Sequence, residues 1–212
     1  MKDTIFKCIS SRMAGDERRE QIIRVAMRLF GENGFRGTTT KEIANAAGVS
    51  EATVFKHFAN KDELYAAILD HKSCEHGFDL PFAEIADKLA DKDDFGVFYG
   101  LALYILDHHE RDFDFLRLMM YSALEGHELA RRFYESFSSY VYDFLGEYIR
   151  QRQTDGVFRD MEPRIVVRSL IGMVVHHSLN TLLWDKEQKL LKISNEDAAR
   201  EFATILLEGV KK

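Results

Sequence analysis

Along most of this chain apolar residues return every third or fourth position, and each run opens or closes on a residue that helices use as punctuation. Over residues 16–33, Ile22, Ile23, Ala26, Leu29 and Phe30 share one helical face, with Arg18, Arg19, Arg24 and Arg28 outside it. Asn33-Gly34 closes the run, since glycine accepts the left-handed conformation of a helix end. Thr39 with Glu42 three residues on forms a capping box that starts a short helix through Ile43, Ala44 and Ala47, ending at Gly48. Ser50 opens another over Val54 and Phe58, and Asn60 with Glu63 a fourth through Leu64 and Ile68. Beyond Pro81 the spacing predicts longer helices at 82–90, 94–110, 113–125, 128–153, 163–184 and 195–208. Gly126 and Gly156 suit helix ends, Pro163 a first turn, and Ser194 with Asp197 another capping box. The expected class is all-α: 2 Pro and 13 Gly in 212 residues are few for the many tight turns of a β fold.

Two cysteines, Cys8 and Cys74, exclude a disulfide scaffold and a four-cysteine zinc site, and suit a reducing cytoplasm. No run of apolar residues approaches the ~20 that span a bilayer, and the start has no apolar stretch of signal-peptide length. A cytoplasmic protein without a membrane partner is expected. Charge is uneven: residues 1–64 hold 11 Lys/Arg against 9 Asp/Glu, whereas 65–212 hold 18 against 26. The expected division is a disordered leader at 1–15, a helix-turn-helix domain at 16–64 and an effector-binding and dimerisation domain at 65–212. Residues 1–12 read either as a leader before a true start at Met13 or as a basic arm for the minor groove.

Residues 39–58, TTKEIANAAGVSEATVFKHF, carry the chemistry. Ile43, Ala44, Ala47, Val49 and Val54 fall where two short helices crossing at ~90–120° must touch, with Gly48 at the bend. Ala44 keeps that crossing close. Such a pair props the second helix so that its outer face can enter the major groove of DNA. With Val54 and Phe58 turned inward, Ser50, Glu51, Ala52, Thr53, Phe55 and Lys56 are the candidate readers. Thr39, Lys41 and Lys61 sit at helix N-termini, whose free amides favour phosphate.

Residues 21–69 resemble the amino-terminal domain of the TetR (tetracycline repressor) family through LFGENGFRGTT, KEIANAAGVS, TVFKHF and NKDEL. The resemblance implies a nine-helix homodimeric transcriptional regulator, usually a repressor, that binds a near-palindromic operator and releases it when a small ligand occupies the carboxy-terminal domain. It also implies that Thr39 and Lys41 contact phosphates, that Ser50, Glu51, Ala52, Thr53 and Lys56 line the groove, and that Lys61 holds the backbone beyond. Phe55 stands where the family commonly has tyrosine, so a phenol-to-phosphate hydrogen bond is lost. His57 matches the family's histidine, in an orienting or packing role.

Aromatic residues crowd between Phe95 and Tyr148, and Phe133, Phe137, Tyr140, Phe144 and Tyr148 form a stripe that reads either as plain core or as the wall of a ligand chamber. The hydroxyls of Tyr99, Tyr104, Tyr121 and Tyr140 would need partners if buried; with Phe137 and His177 these are the candidate ligand residues. The 163–184 helix is apolar nearly all round and needs cover on two sides. A partner's copy would supply one side together with Ala199, Ala203 and Val210, with Ile165, Met173, Phe202 and Leu206 at the dimer interface. Neighbouring histidines at 108–109 and 176–177 diverge by about 100° on a helix, and His71 with Cys74 lacks a full set of four metal ligands. No metal or cofactor is expected; a metal-sensing regulator is the alternative. The chain shows no phosphate-cradling glycine loop, nucleophile elbow or His-Glu-x-x-His motif, so it is not read as an enzyme; an all-helical enzyme or protein-binding scaffold stands further back.

Overall fold

The computed structural model describes residues 14–76, 82–83 and 85–212. The expected leader lies almost entirely outside these, as do Cys8 and the side chains of Cys74 and His76. In chain order the helices are α1 (Ala14–Asn33), α2 (Thr40–Ala46), α3 (Glu51–His57), α4 (Lys61–His76), α5 (Ala86–Ala90), α6 (Asp94–Arg111), α7 (Phe113–Leu124), α8 (Glu128–Phe133), α9 (Ser139–Thr154), α10 (Pro163–Leu179) and α11 (Asn195–Val210). β-type pairing among the described residues is confined to one bridge, Phe158 with Lys211.

The helix starts follow the capping chemistry. Thr39 Oγ1 accepts the Glu42 amide at 3.2 Å while Glu42 Oε2 accepts the Thr39 amide at 2.7 Å. Those hydrogen bonds, the backbone one first, hold the Glu42 carboxyl below its usual range. Ser50 caps α3 through the Thr53 amide and Ser194 caps α11 through that of Asp197, both at 3.1 Å. Asn60 Oδ1 accepts the Glu63 amide at 2.8 Å, but Glu63 reaches back to Ala59 rather than to Asn60 itself.

Three expected helices differ, and of the 82–90 run the helix proper is Ala86–Ala90, with Ile85 in the turn before it. The 128–153 helix is interrupted by a π-helical turn at Tyr134–Ser138, and the 163–184 helix ends in another at Asn180–Trp184. A π turn widens the backbone and shifts the angular position of the residues beyond it. The aromatic stripe is therefore broken between Phe133 and Phe137. Phe133 stacks edge-on with Phe115, whereas Phe137, Phe144 and Tyr148 pack on a different core.

The chain forms two compact units, neither continuous in sequence: 1–78 with 114–136, and 79–113 with 137–212. The division expected at 64/65 falls inside α4. In the first unit Ile22, Ile23, Ala26 and Phe30 of α1 join Ile43, Ala44, Val54, Phe58, Leu64, Tyr65 and Ile68, with Leu118, Met119 and Leu129 from the inserted segment. In the second, Val97, Phe98 and Leu101 of α6 share a core with Leu145 and Ile149 of α9, Val167, Leu170 and Val174 of α10, and Ala199, Ala203 and Leu206 of α11.

That second core encloses an ionic clamp. Arg152 grips both carboxylate oxygens of buried Asp94, at 2.7 and 3.0 Å, and its third guanidinium nitrogen reaches Asp155 at 2.9 Å. Tyr148 donates to Asp94 at 2.7 Å, and Lys92 meets Asp155 at 2.7 Å. Hydrogen bonds from Lys92, Gln151 and Arg152 hold the Asp155 carboxyl down to about 2. Removing one member of such a pair strands the other charge in the core, so Arg152→Met is expected to cost about 3–5 kcal/mol in urea unfolding. His109 is a second buried titratable group, its Nδ1 2.9 Å from Ser178 Oγ. Burial, with a smaller contribution from His108, pushes its pKa down to about 4. The unfolded chain then binds the proton more readily, so this contribution is complete above pH ~6.5 and is lost as pH falls toward 4. His109→Gln should flatten that part of the stability–pH curve; an unchanged slope would contradict the assignment.

Candidate nucleic-acid interface

The α2–α3 bend is built by Gly48, whose φ of +64° is one that side chains with a Cβ rarely adopt. The Val49 amide donates to the Ala44 carbonyl at 3.0 Å, closing the turn. α1 supports it from below: Gln21 Nε2 donates to the Ala47 carbonyl at 3.0 Å, and the Arg19 guanidinium lies 5.0 Å from the centre of the Phe58 ring.

Ile43, Ala44, Ala47, Val54 and Phe58 are all buried, as the spacing requires. On the opposite side of α3 lie Ser50, Ala52, Phe55 and Lys56, exposed, with Glu51, Thr53 and His57 half-exposed beside them. Phe55 is 48% exposed, a large apolar side chain presented to solvent. Thr39 and Lys41 are exposed at the start of α2. Three polar readers are tied locally. Ser50 and Thr53 share a hydroxyl pair at 2.8 Å, and Thr40 donates to Glu51 at 2.5 Å. That last bond links the first turns of α2 and α3, and sequence spacing alone did not single out Thr40.

Lys61 requires a correction. Its ammonium donates to the carbonyls of Phe35 and Thr38 at 2.9 and 3.0 Å and sits 4.2 Å from the centre of the Phe35 ring. Two of its three donors are taken in this way, which ties the α1–α2 loop together and draws the ammonium away from the role of holding a DNA phosphate.

The candidate ligand residues do not converge. Tyr121 belongs to the first unit, where its hydroxyl donates to the Glu32 carbonyl at 3.4 Å. Tyr99 stacks on Phe95, Tyr104 on His108, and Tyr140, 44% exposed, lies near Phe82 and Phe144. Tyr99, Tyr104 and Tyr121 are only half-buried, so the need for enclosed hydroxyl partners does not arise for them. In the second core Tyr148 donates to buried Asp94, and the fully buried tyrosine is Tyr65 of the first unit, its hydroxyl pushed up to about 12 by burial. Phe137 packs against the second core. His177 stands edge-on to Phe202 and lines a cavity of about 340 Å³ with Leu106, Asp107, Glu110 and Ser178. Burial, then His176, lowers its pKa. Among the described residues no three His, Cys, Asp or Glu side chains come together to hold a metal ion.

On the candidate dimer face, Ile165 is 50% exposed, and Met173 and Phe202 are half-buried. Leu206 is corrected: it is 6% exposed and packs into its own core with Ala199, Ala203 and Val210. The phase of α11 turns Phe202 and Ile205 outward instead, Ile205 being 56% exposed.

Comparison with known proteins bears on this arrangement. Residues 22–68 match the model of the tetR family of bacterial regulatory proteins. The HTH-type transcriptional regulator YvkB of Bacillus subtilis is 48% identical over 58 residues, which are 27% of this chain and 31% of that protein. The chain thus aligns with about a third of that relative's length. Among solved structures, AibR in complex with isovaleryl coenzyme A and operator DNA superimposes with a TM-score of 0.67 at 23% identity, covering 90% of this chain and 98% of that one. NalD, the secondary repressor of the MexAB-OprM multidrug efflux pump in Pseudomonas aeruginosa, gives 0.69 at 19% identity over 94% and 98%. The fold is shared across both units, and the sequence match falls on the helices that build the exposed α3 face. The likeness to the tetR family of bacterial regulatory proteins thus rests on residues 22–68, and beyond them the likeness to the solved structures is one of fold.

Proposed function

We propose that the protein is a cytoplasmic, homodimeric repressor that binds a near-palindromic DNA operator and releases it when a small, largely apolar or aromatic ligand occupies its carboxy-terminal part. The observation that carries this reading is the two-sidedness of α3. Val54 and Phe58 are sealed into the core while Ser50, Ala52, Phe55 and Lys56 face outward on a rigid bend. A helix held in that way fits the width of a major groove. Lys56 is an exposed cation on α3, and Lys41 and Thr39 stand where phosphates would pass.

The dimer reading rests on uncovered apolar surface. α10 buries Val166, Val167, Leu170 and Val174 in its own core, yet Ile165 remains exposed, and Ile205 of α11 does too. A second copy related by a two-fold axis would cover them and set two recognition helices one or more DNA turns apart. AibR, with an acyl coenzyme A and operator DNA bound, shows that a protein of this fold can carry both kinds of partner. For this chain, effector occupancy would shift α4, which follows the recognition helix in sequence, and so change the spacing of the two copies.

Salt-titrated binding to the chain's own upstream DNA tests the reading, since binding through phosphates weakens steeply with salt; a flat curve would exclude it. Lys56→Ala should cost about 1–3 kcal/mol and alter sequence preference, whereas Lys41→Ala should weaken all sequences alike and reduce the salt slope by about 1. Lys61→Ala should lower thermal stability and leave the slope unchanged. Ile165→Asp together with Ile205→Asp should yield monomers in analytical ultracentrifugation, and dimers persisting in that variant would place the interface elsewhere.

A further inference from the structure

The recognition helix pair hangs from α1 by the short strap 34–38, and polar groups from several elements grip that strap. Lys61 of α4 holds the carbonyls of Phe35 and Thr38. From the other side, Glu125, just past the end of α7, accepts the amides of Phe35 at 3.0 Å and Arg36 at 3.3 Å. The Thr38 hydroxyl lies within 2.9 Å of the Gly34 carbonyl and 3.1 Å of that of Leu29. The Phe35 ring is boxed by Phe30, Tyr65 and His127. The next residue, Thr39, caps α2, and Thr40 is bonded to Glu51 at the start of α3. Whatever moves the strap therefore moves the first turns of both helices.

The approach of α7 to this strap depends on two glycines. A Cβ at Gly31 would meet the Asp114 carbonyl oxygen at 2.8 Å. At Gly34, where φ is +75°, a Cβ would meet Glu125 Oε1 at 2.9 Å and the Tyr121 ring at 3.1 Å. Tyr121 also donates to the Glu32 carbonyl at the end of α1. The segment that supplies Glu125, residues 114–136, belongs to the first unit, while at both ends it continues in sequence into α6 and the π turn before α9, toward elements of the second.

We propose that Glu125 is a positioning residue for the DNA-facing helix pair: its carboxylate sets the strap 34–38 against α7, and movement of α7 is passed through it to α2 and α3. The proposal rests on the DNA-binding reading for its consequence, but the mechanical link stands apart from it. A carboxylate binding two amides is charge-assisted, and its loss leaves two strap amides without their partner while Lys61 still pulls on the carbonyls.

Removing a negative charge from a DNA-binding unit would by charge alone tighten binding. Positioning predicts the reverse. Glu125→Ala should weaken binding to the upstream DNA by roughly tenfold, within the usual span of coupling between sites, with an unchanged salt slope. Glu125→Gln, which removes the same charge but keeps one acceptor, should lose less. In the free full-length protein, amide exchange at Phe35, Arg36 and Ile43 should quicken in both variants, more in Glu125→Ala, while amides of α9 and α10 stay protected. The α9 and α10 amides report whether a variant remains folded, and Glu125→Gln carries the test if Glu125→Ala does not. Exchange unchanged at Phe35 and Arg36, or DNA binding equal to or tighter than wild type, would overturn the proposal. If exchange quickens as described but the wild-type protein itself ignores the DNA, the strap mechanism holds and the DNA reading is what fails.

Discussion

A helix of seven residues does not persist alone in water, because the cost of nucleating it is not recovered over so few hydrogen bonds. α3 exists because Val54 and Phe58 are sealed among Ile22, Ile43 and Ala47, a burial contributing roughly 1.5–3 kcal/mol for each large side chain. Everything functional about the amino-terminal unit depends on that anchoring. It leaves the outer face of α3 without packing duties, so the exposed residues are free to be small or polar, and it fixes α3 to α2 across Gly48 so that both first turns move together.

The second dependence is electrostatic and lies at the strap. Lys61 and Glu125 hold opposite ends of the Phe35–Arg36 peptide group, one through the Phe35 carbonyl and the other through the Arg36 amide. A lysine at the start of a helix looks in sequence like a phosphate contact. In the folded protein the nearer and geometrically fixed acceptors are its own backbone carbonyls, and they accept its hydrogen bonds. The inserted segment 114–136 thereby becomes part of the unit that carries α2 and α3, although more than thirty residues separate it from α4 in the sequence.

In the larger unit the same competition between roles reshapes the reading of tyrosines and leucines. Tyr148 spends its hydroxyl on the buried Asp94–Arg152 pair, where a charged clamp, rather than a ligand, answers the need for hydrogen bonds. Leu206 lies on the α11 stripe that faces its own core, and one residue earlier Ile205 points out. A step of one residue on a helix is about 100°, enough to exchange a core position for an exposed one.

Read alone, the amino acid order determined the all-helical class, nearly every helix start and the helix-turn-helix at 39–58, because caps, glycine bends and three-to-four spacing are local properties carried by residues close together in the chain. Ile43, Ala44, Val54 and Phe58 could be named as core, and Lys56 as exposed, from that spacing. Tertiary structure alone decided that Lys61 is an internal clip, that Glu125 and Tyr121 reach the end of α1, that a π turn breaks the aromatic stripe, and which edge of α11 is left uncovered. Those outcomes depend on which groups meet from distant parts of the chain and on small changes of helical phase, and no local pattern of residue types records either.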